Sequence, residues 1–111
     1  MAALLIEKDI EKLLPRLINP FIETGLYKDP EEALQNLFEE RVDEKIRHYE
    51  EEIHAFESKY NITFEGFSKQ LSKVTLSDEQ EQDWMEWEAA LNMLKAWKSV
   101  KIKLHRGMTG A

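Results

Sequence analysis

The residues of this chain best suited to chemistry are its carboxylates and histidines, because it contains no cysteine. That absence removes disulfides, thiolate nucleophiles and cysteine-ligated zinc. Glu79, Asp83 and Glu86 fall in one row of the last expected helix. Paired carboxylates share general acid and base work only in a desolvated pocket, and a solvated acidic face is the stronger reading. His48 with Glu51 or Glu52 has the spacing of half a metal site on a helix. No second half accompanies it, and His54 and His105 lie elsewhere. Four glycines offer no phosphate-cradling loop, and no Ser/His/Asp arrangement carries a local signature. The expectation is a protein without catalytic residues, metal or cofactor, one that works by binding.

The residues proposed for binding lie in the segment Asp78-Glu79-Gln80-Glu81-Gln82-Asp83-Trp84-Met85-Glu86-Trp87-Glu88, which sets carboxylates beside two tryptophans. Tryptophan anchors interfaces because it buries a large area with few rotors, and carboxylates around it would steer a basic partner. Asp83, Trp84, Glu86, Trp87, Glu88 and Leu91 form the candidate partner-binding set. The competing role is core filling, which Trp87 suits because it continues the apolar stripe to Leu91 and Leu94; Trp84 is the better interface candidate. Charge supports a basic partner. Residues 1–94 carry 22 Asp/Glu and 10 Lys/Arg, a net −12, whereas Lys95, Lys98, Lys101, Lys103 and Arg106 give the C-terminal stretch +5. An acidic body repels nucleic acid at long range, so those five cations are a weak nucleic-acid candidate, also favourable simply as the basic end of a helix.

These residues require helices to position them. Asp9 suits an N-cap for a first helix over 9–18, where Ile10, Leu13, Leu14, Leu17 and Ile18 recur at helical spacing. Pro15 predicts a kink or restart and Pro20 an end; residues 2–6 are open between a short strand and an extended arm. Gly25 fits a turn, Asp29 a cap and Pro30 the first position of a long helix running to about Tyr60. From Val42 the apolar steps become a heptad: Val42, Tyr49 and Phe56 on one line, Ile46, Ile53 and Tyr60 on the other. At about 45 Å this helix exceeds what so short a chain covers, so the seam is expected to pack on a second copy. Asn61 suits a left-handed helix end. Thr63 suits the cap of a short helix bearing Phe64, Phe67, Leu71 and Val74. Ser77 and Gln80 form a capping box for a last helix from Asp78 to about Leu104, with 106–111 a disordered tail. The predicted fold is all-α, a long central helix in a hairpin-like arrangement with a second long C-terminal helix. It divides into a dimerisation region (1–60), a partner-binding region (61–105) and a tail (106–111).

Ile22-Glu23-Thr24-Gly25-Leu26-Tyr27-Lys28-Asp29-Pro30-Glu31-Glu32-Ala33-Leu34 resembles a turn seen in small prokaryotic antitoxins, including ribbon-helix-helix members. The segment with Tyr49, Ile53, Phe56, Glu57, Lys59, Tyr60, Phe64 and Phe67, and the later Asp83-Trp84-Met85-Glu86-Trp87-Glu88, are similar to acidic antitoxin-like proteins of archaea and cyanobacteria. The resemblance covers roughly residues 10–97. It implies a type II antitoxin: a cytoplasmic protein that occludes a small basic toxin, often an RNase, forms homo-oligomers and sometimes represses its own operon. One feature departs from the pattern. The DNA-reading strand of a ribbon-helix-helix protein is polar and basic, whereas Ala2-Ala3-Leu4-Leu5-Ile6 is apolar, which leaves nucleic-acid binding open. The alternative is a helical regulatory or assembly subunit that self-associates without a toxin. The apolar run at the N-terminus is too short for a signal-peptide core.

Overall fold

The computed structural model describes residues 2–73 and 75–108, with side-chain surroundings for 9–73 and 75–107. The described residues form four α-helices and no strand: α1 (Ala2–Glu23), α2 (Pro30–Tyr60), α3 (Phe64–Leu71) and α4 (Asp78–Met108). Two compact units divide inside α2, the first up to Glu40 and the second from Arg41 onward. The boundary expected at residue 60 marks the end of α2 instead. Expected positions Val74 and 109–111 lie outside the described residues.

In the first unit, α1 is longer than its sequence pattern suggested. Residues 2–6 are helical rather than strand or arm, so Asp9 lies inside the helix and caps nothing. Pro15 and Pro20 are both accommodated within it. A proline deletes one backbone donor and crowds the carbonyl four residues back. Here Glu11 and Pro15 are both exposed, so water can satisfy the carbonyl left without a donor. The helix closes three residues after Pro20, whose carbonyl accepts from the Thr24 backbone N–H at 3.2 Å and the Thr24 hydroxyl at 2.7 Å. Gly25 then takes φ +80°, a region glycine enters without steric cost, and the Tyr27 N–H returns to the Phe21 carbonyl at 3.1 Å. The Phe21 and Tyr27 rings lie 6.1 Å apart across the turn. Asp29 caps α2 by accepting from Glu32 N–H at 2.9 Å, and Glu32 reaches back to Lys28 N–H at 2.8 Å. Such a cap contributes about 1 kcal/mol. Among the residues of this unit whose surroundings are described, Ile18 and Ala33 are the buried apolar ones.

In the second unit, the C-terminal part of α2 and α4 pack antiparallel as a hairpin, with α3 across the closed end. Three local signals build that end. Asn61 takes φ +51° and stops α2. The Thr63 hydroxyl accepts from Gly66 N–H at 3.1 Å and starts α3. The Ser77 hydroxyl accepts from Gln80 N–H at 3.1 Å while the Gln80 side chain accepts from Ser77 N–H at 3.2 Å, a reciprocal capping box that starts α4. The register is read from paired side chains. Lys59 meets Glu79 and Asp83, Phe56 meets Trp87, and far along the hairpin Asp43 meets Lys101 at 2.8 Å. The α4 helix continues to Met108, so Arg106 and Gly107, expected in a disordered tail, are helical.

The heptad seam of α2 finds cover in this hairpin. Val42 is 4% exposed, Phe56 and Tyr60 stack on Trp87, and Ile46, Tyr49 and Ile53 are half-buried.

Candidate functional site: the closed end of the hairpin

Trp87 is the largest fully buried side chain described, at 0% exposure. Four rings surround it. Phe56 and Tyr60 of α2 stack on it at 5.6 and 6.3 Å between centroids, Phe64 meets it edge-on at 5.4 Å, and Phe67 lies tilted at 5.5 Å. Tyr60 and Phe67 also contact each other at 4.2 Å. Three helices thus converge on one indole, which the stripe from Trp87 to Leu91 and Leu94 already favoured as core. The indole N–H has no hydrogen-bond acceptor, a desolvation cost of about 1–3 kcal/mol carried within the aromatic enclosure.

One turn before Trp87 on α4, Asp83 is 8% exposed. Its carboxylate accepts from the Lys59 ammonium at 2.5 Å and from the Tyr60 hydroxyl. Lys59 also donates to the exposed Glu79 at 2.8 Å and lies 5.4 Å from the Tyr60 ring centroid. Burial alone would push the Asp83 carboxyl up, but the bonds from Lys59 and Tyr60 outweigh it and hold the group below the usual carboxylate range. The same bonds, to Asp83 first and Glu79 second, push the Lys59 ammonium well up. Burial, and then the bond to Asp83, raises the Tyr60 phenol. Asp83 is therefore an ionised carboxylate, and one of its oxygens takes both bonds that hold α4 on α2.

Trp84 is half-buried and likewise engaged. Its indole N–H donates to the Ser68 hydroxyl at 2.9 Å and its ring stacks on Phe64 at 6.0 Å, tying α4 to α3. Of the six residues singled out for partner binding, then, Trp87 and Asp83 lie inside the hairpin and Trp84 at its edge. Leu91 and Glu88 are half-buried, and Glu86 is exposed, accepting from Gln82 at 2.8 Å. What faces solvent on this segment is Met85, 55% exposed, among Asp78, Glu79, Glu81 and Glu86. The row Glu79, Asp83, Glu86 splits by environment: Glu79 and Asp83 share one lysine, and Glu86 pairs with a glutamine.

The antiparallel register sorts charge, which the linear sequence conceals. Residues 50–90, the closed end, hold 11 Asp/Glu and 3 Lys, a net −8. Residues 41–49 and 91–106, the opposite end, hold 2 Asp/Glu and 8 Lys/Arg, a net +6. Arg41, Lys45 and Arg47 of α2 thereby join Lys95, Lys98, Lys101, Lys103 and Arg106 of α4; Lys101 is ion-paired to Asp43. His48 lies 3.7 Å from Glu52 with its ring edge-on to Tyr49 at 4.8 Å. Among the described residues no group of three His, Asp or Glu could hold a metal ion, and no helix is long and apolar enough to cross a membrane.

Comparison of the chain with protein-family models, with curated proteins and with solved structures returns no match.

Two expected outcomes follow from this geometry. Trp87→Ala leaves a cavity where three helices meet and costs about 3–5 kcal/mol in denaturant unfolding. Trp87→Phe costs much less, because it keeps a ring and removes the unpaired N–H. The second outcome concerns pH. Asp83 has a lowered folded pKa, so its contribution is complete above the ordinary carboxylate range and is lost as pH falls through and below that range. Lys59 and Tyr60 have raised folded pKa values, so theirs is complete below about pH 10 and lost as pH rises beyond it. Thermal melts across pH will show a plateau from mildly acidic to mildly alkaline conditions, falling on both sides. Asp83→Asn will lower the plateau by several degrees and flatten the acid limb.

Proposed function

We propose that this chain is a protein-binding module whose acidic hairpin end covers a basic surface of a partner protein, acting as an antitoxin-like neutraliser of a small basic toxin by occlusion rather than by catalysis. The observation that carries the reading is the segregation of charge: a net −8 on one end of a hairpin whose interior is fixed by Trp87 and the Lys59–Asp83–Tyr60 cluster. A rigid acidic surface presents its charges without a large ordering cost on binding and accelerates encounter with a basic partner. Met85, exposed among Glu81 and Glu86, supplies an adaptable apolar contact at the centre of that charge. The small basic RNase toxins implied by the antitoxin resemblance have the complementary chemistry. The committed residues of the segment, Asp83, Trp84 and Trp87, act here by holding the surface in shape, so the outward set Glu81, Met85 and Glu86 carries the contact.

A second reading, a helical assembly subunit without a toxin, is favoured by one observation: α1 carries an exposed apolar stripe.

The test is affinity purification from the native host at moderate salt with the wild type, with Glu81→Lys/Glu86→Lys, and with Lys95→Glu/Lys98→Glu as the control, a charge change of the same size and opposite sign on the other end. The expected result is one small basic protein retained by the wild type and the control and lost with the acidic-end variant. That protein should arrest growth when expressed alone and be neutralised by co-expression of the wild type. Recovery of this chain alone, or equal retention by all three, contradicts the reading.

A further inference from the structure

Outside the hairpin, α1 leaves a row of large apolar side chains in water. Ile10, Leu13, Leu14 and Leu17 are 44, 49, 38 and 55% exposed. Their spacing of three, four and seven residues places them on one face of a helix advancing about 100° per residue. Pro15 projects from the opposite side, so its ring does not obstruct that face. Ile18, at the edge of the row, is turned inward and buried.

The charges beside this stripe identify what covers it. Asp9 and Arg16 are both exposed and form no ion pair among the described residues. They stand seven residues apart, two turns, and so share one flank of the stripe. When two identical helices pack antiparallel about a twofold axis, a flank of one runs beside the same flank of the other in reversed order. With the axis between Leu13 and Leu14, Ile10 of one copy meets Leu17 of the other, the two central leucines meet their counterparts, and Arg16 comes level with Asp9 to within two residues. The pairing occurs twice. A parallel arrangement sets Asp9 level with Asp9 and Arg16 with Arg16, and gains neither contact.

We infer that α1 is a self-association surface on which a second copy of this chain docks antiparallel, Ile10, Leu13, Leu14 and Leu17 forming the apolar seam and Asp9–Arg16 the reciprocal charge pairs. A twofold interface of this kind is isologous, the same patch on both subunits, and it puts the exposed leucines out of water. It is separate from the α2 seam, where Phe56 and Tyr60 already stack on Trp87 of α4, and it does not depend on the acidic end of the hairpin.

The full chain is measured by light scattering and sedimentation over a wide concentration range, with circular dichroism confirming helicity of each variant. The wild type is expected to dimerise. Leu13→Glu, at a position half exposed in the single chain and therefore tolerant of charge, should weaken the dimer by roughly 100-fold by placing two carboxylates at the twofold axis. Asp9→Arg should weaken it by about 10-fold, as two surface pairs become repulsive; Arg16→Asp should do the same, and Asp9→Arg with Arg16→Asp in one chain should restore it. Orientation is read separately. The chain has no native cysteine, so Leu13→Cys should form disulfide-linked dimers on oxidation. Ile10→Cys should do so only when mixed with Leu17→Cys. A monomer at all concentrations, a dimer indifferent to Leu13→Glu, charge reversal without rescue in the double variant, or self-linking of Ile10→Cys would each overturn the inference. Loss of the basic partner in the acidic-end experiment has no bearing on these outcomes, so the two readings fail independently.

Discussion

The second unit of this protein depends on burying one indole. Trp87 takes rings from α2 and α3 on its faces and edges, and the helices that supply them have few other ways to bury comparable area. An aromatic side chain of this size buries on the order of 150–250 Å², a large contribution in a short helical unit. The orphaned N–H is the counterpart of that burial. A polar acceptor inside the enclosure would satisfy it only by displacing part of the aromatic contact. The polar bonding falls one turn away instead, where Asp83 receives Lys59 and Tyr60. Apolar burial draws the helices together, and the charge-assisted bonds set their register, because only one alignment of α2 and α4 brings all three groups into reach.

The register has an electrostatic consequence. Along the chain, acids and bases of α2 are mixed, and only the C-terminal cations stand out. Folding α2 against α4 sets Arg41, Lys45 and Arg47 beside those cations and leaves the acids around α3. A molecule with weak net charge in this unit becomes strongly polar along its length. Such a distribution orients a charged partner before contact and directs it to one end, which is what an occluding protein requires. The exposed stripe of α1 is chemically different, apolar with Asp9 and Arg16 along one flank, and suits a copy of itself rather than a basic protein.

Local signals in the sequence were legible where they act through the backbone. Asp29–Pro30, Asn61, Thr63 and the Ser77–Gln80 box each place a helix boundary where the structure has it, because a cap is satisfied by neighbours in the chain. The heptad of α2 correctly marked an apolar seam, and the all-α hairpin followed from it. What covers the seam was not legible: periodicity reports a face to be buried and is silent on whether the cover is α4 or a second copy. Pro20, expected to end α1, misled for a similar reason. A missing N–H stops a helix only where the freed carbonyl has no other donor, and exposure on that side is a property of the fold. Asp83 read as a partner-binding acid alongside Glu86 and Glu88, since the signal that distinguishes it, a lysine and a tyrosine on another helix, has no sequence neighbourhood. Trp84 and Trp87 are three residues apart, and only their surroundings assign one to the α3 contact and the other to the centre.

Native-state hydrogen exchange resolved by residue tests most directly whether the hairpin is organised around Trp87. Amides that open only on global unfolding exchange slowest. The account predicts that these lie on α2 from Ile53 to Tyr60 and on α4 from Trp84 to Leu91, the turns that flank the indole, with faster exchange toward Lys101 and along α1. Slowest exchange in α1, or uniform protection along α2 and α4 with no maximum at the aromatic end, would contradict it.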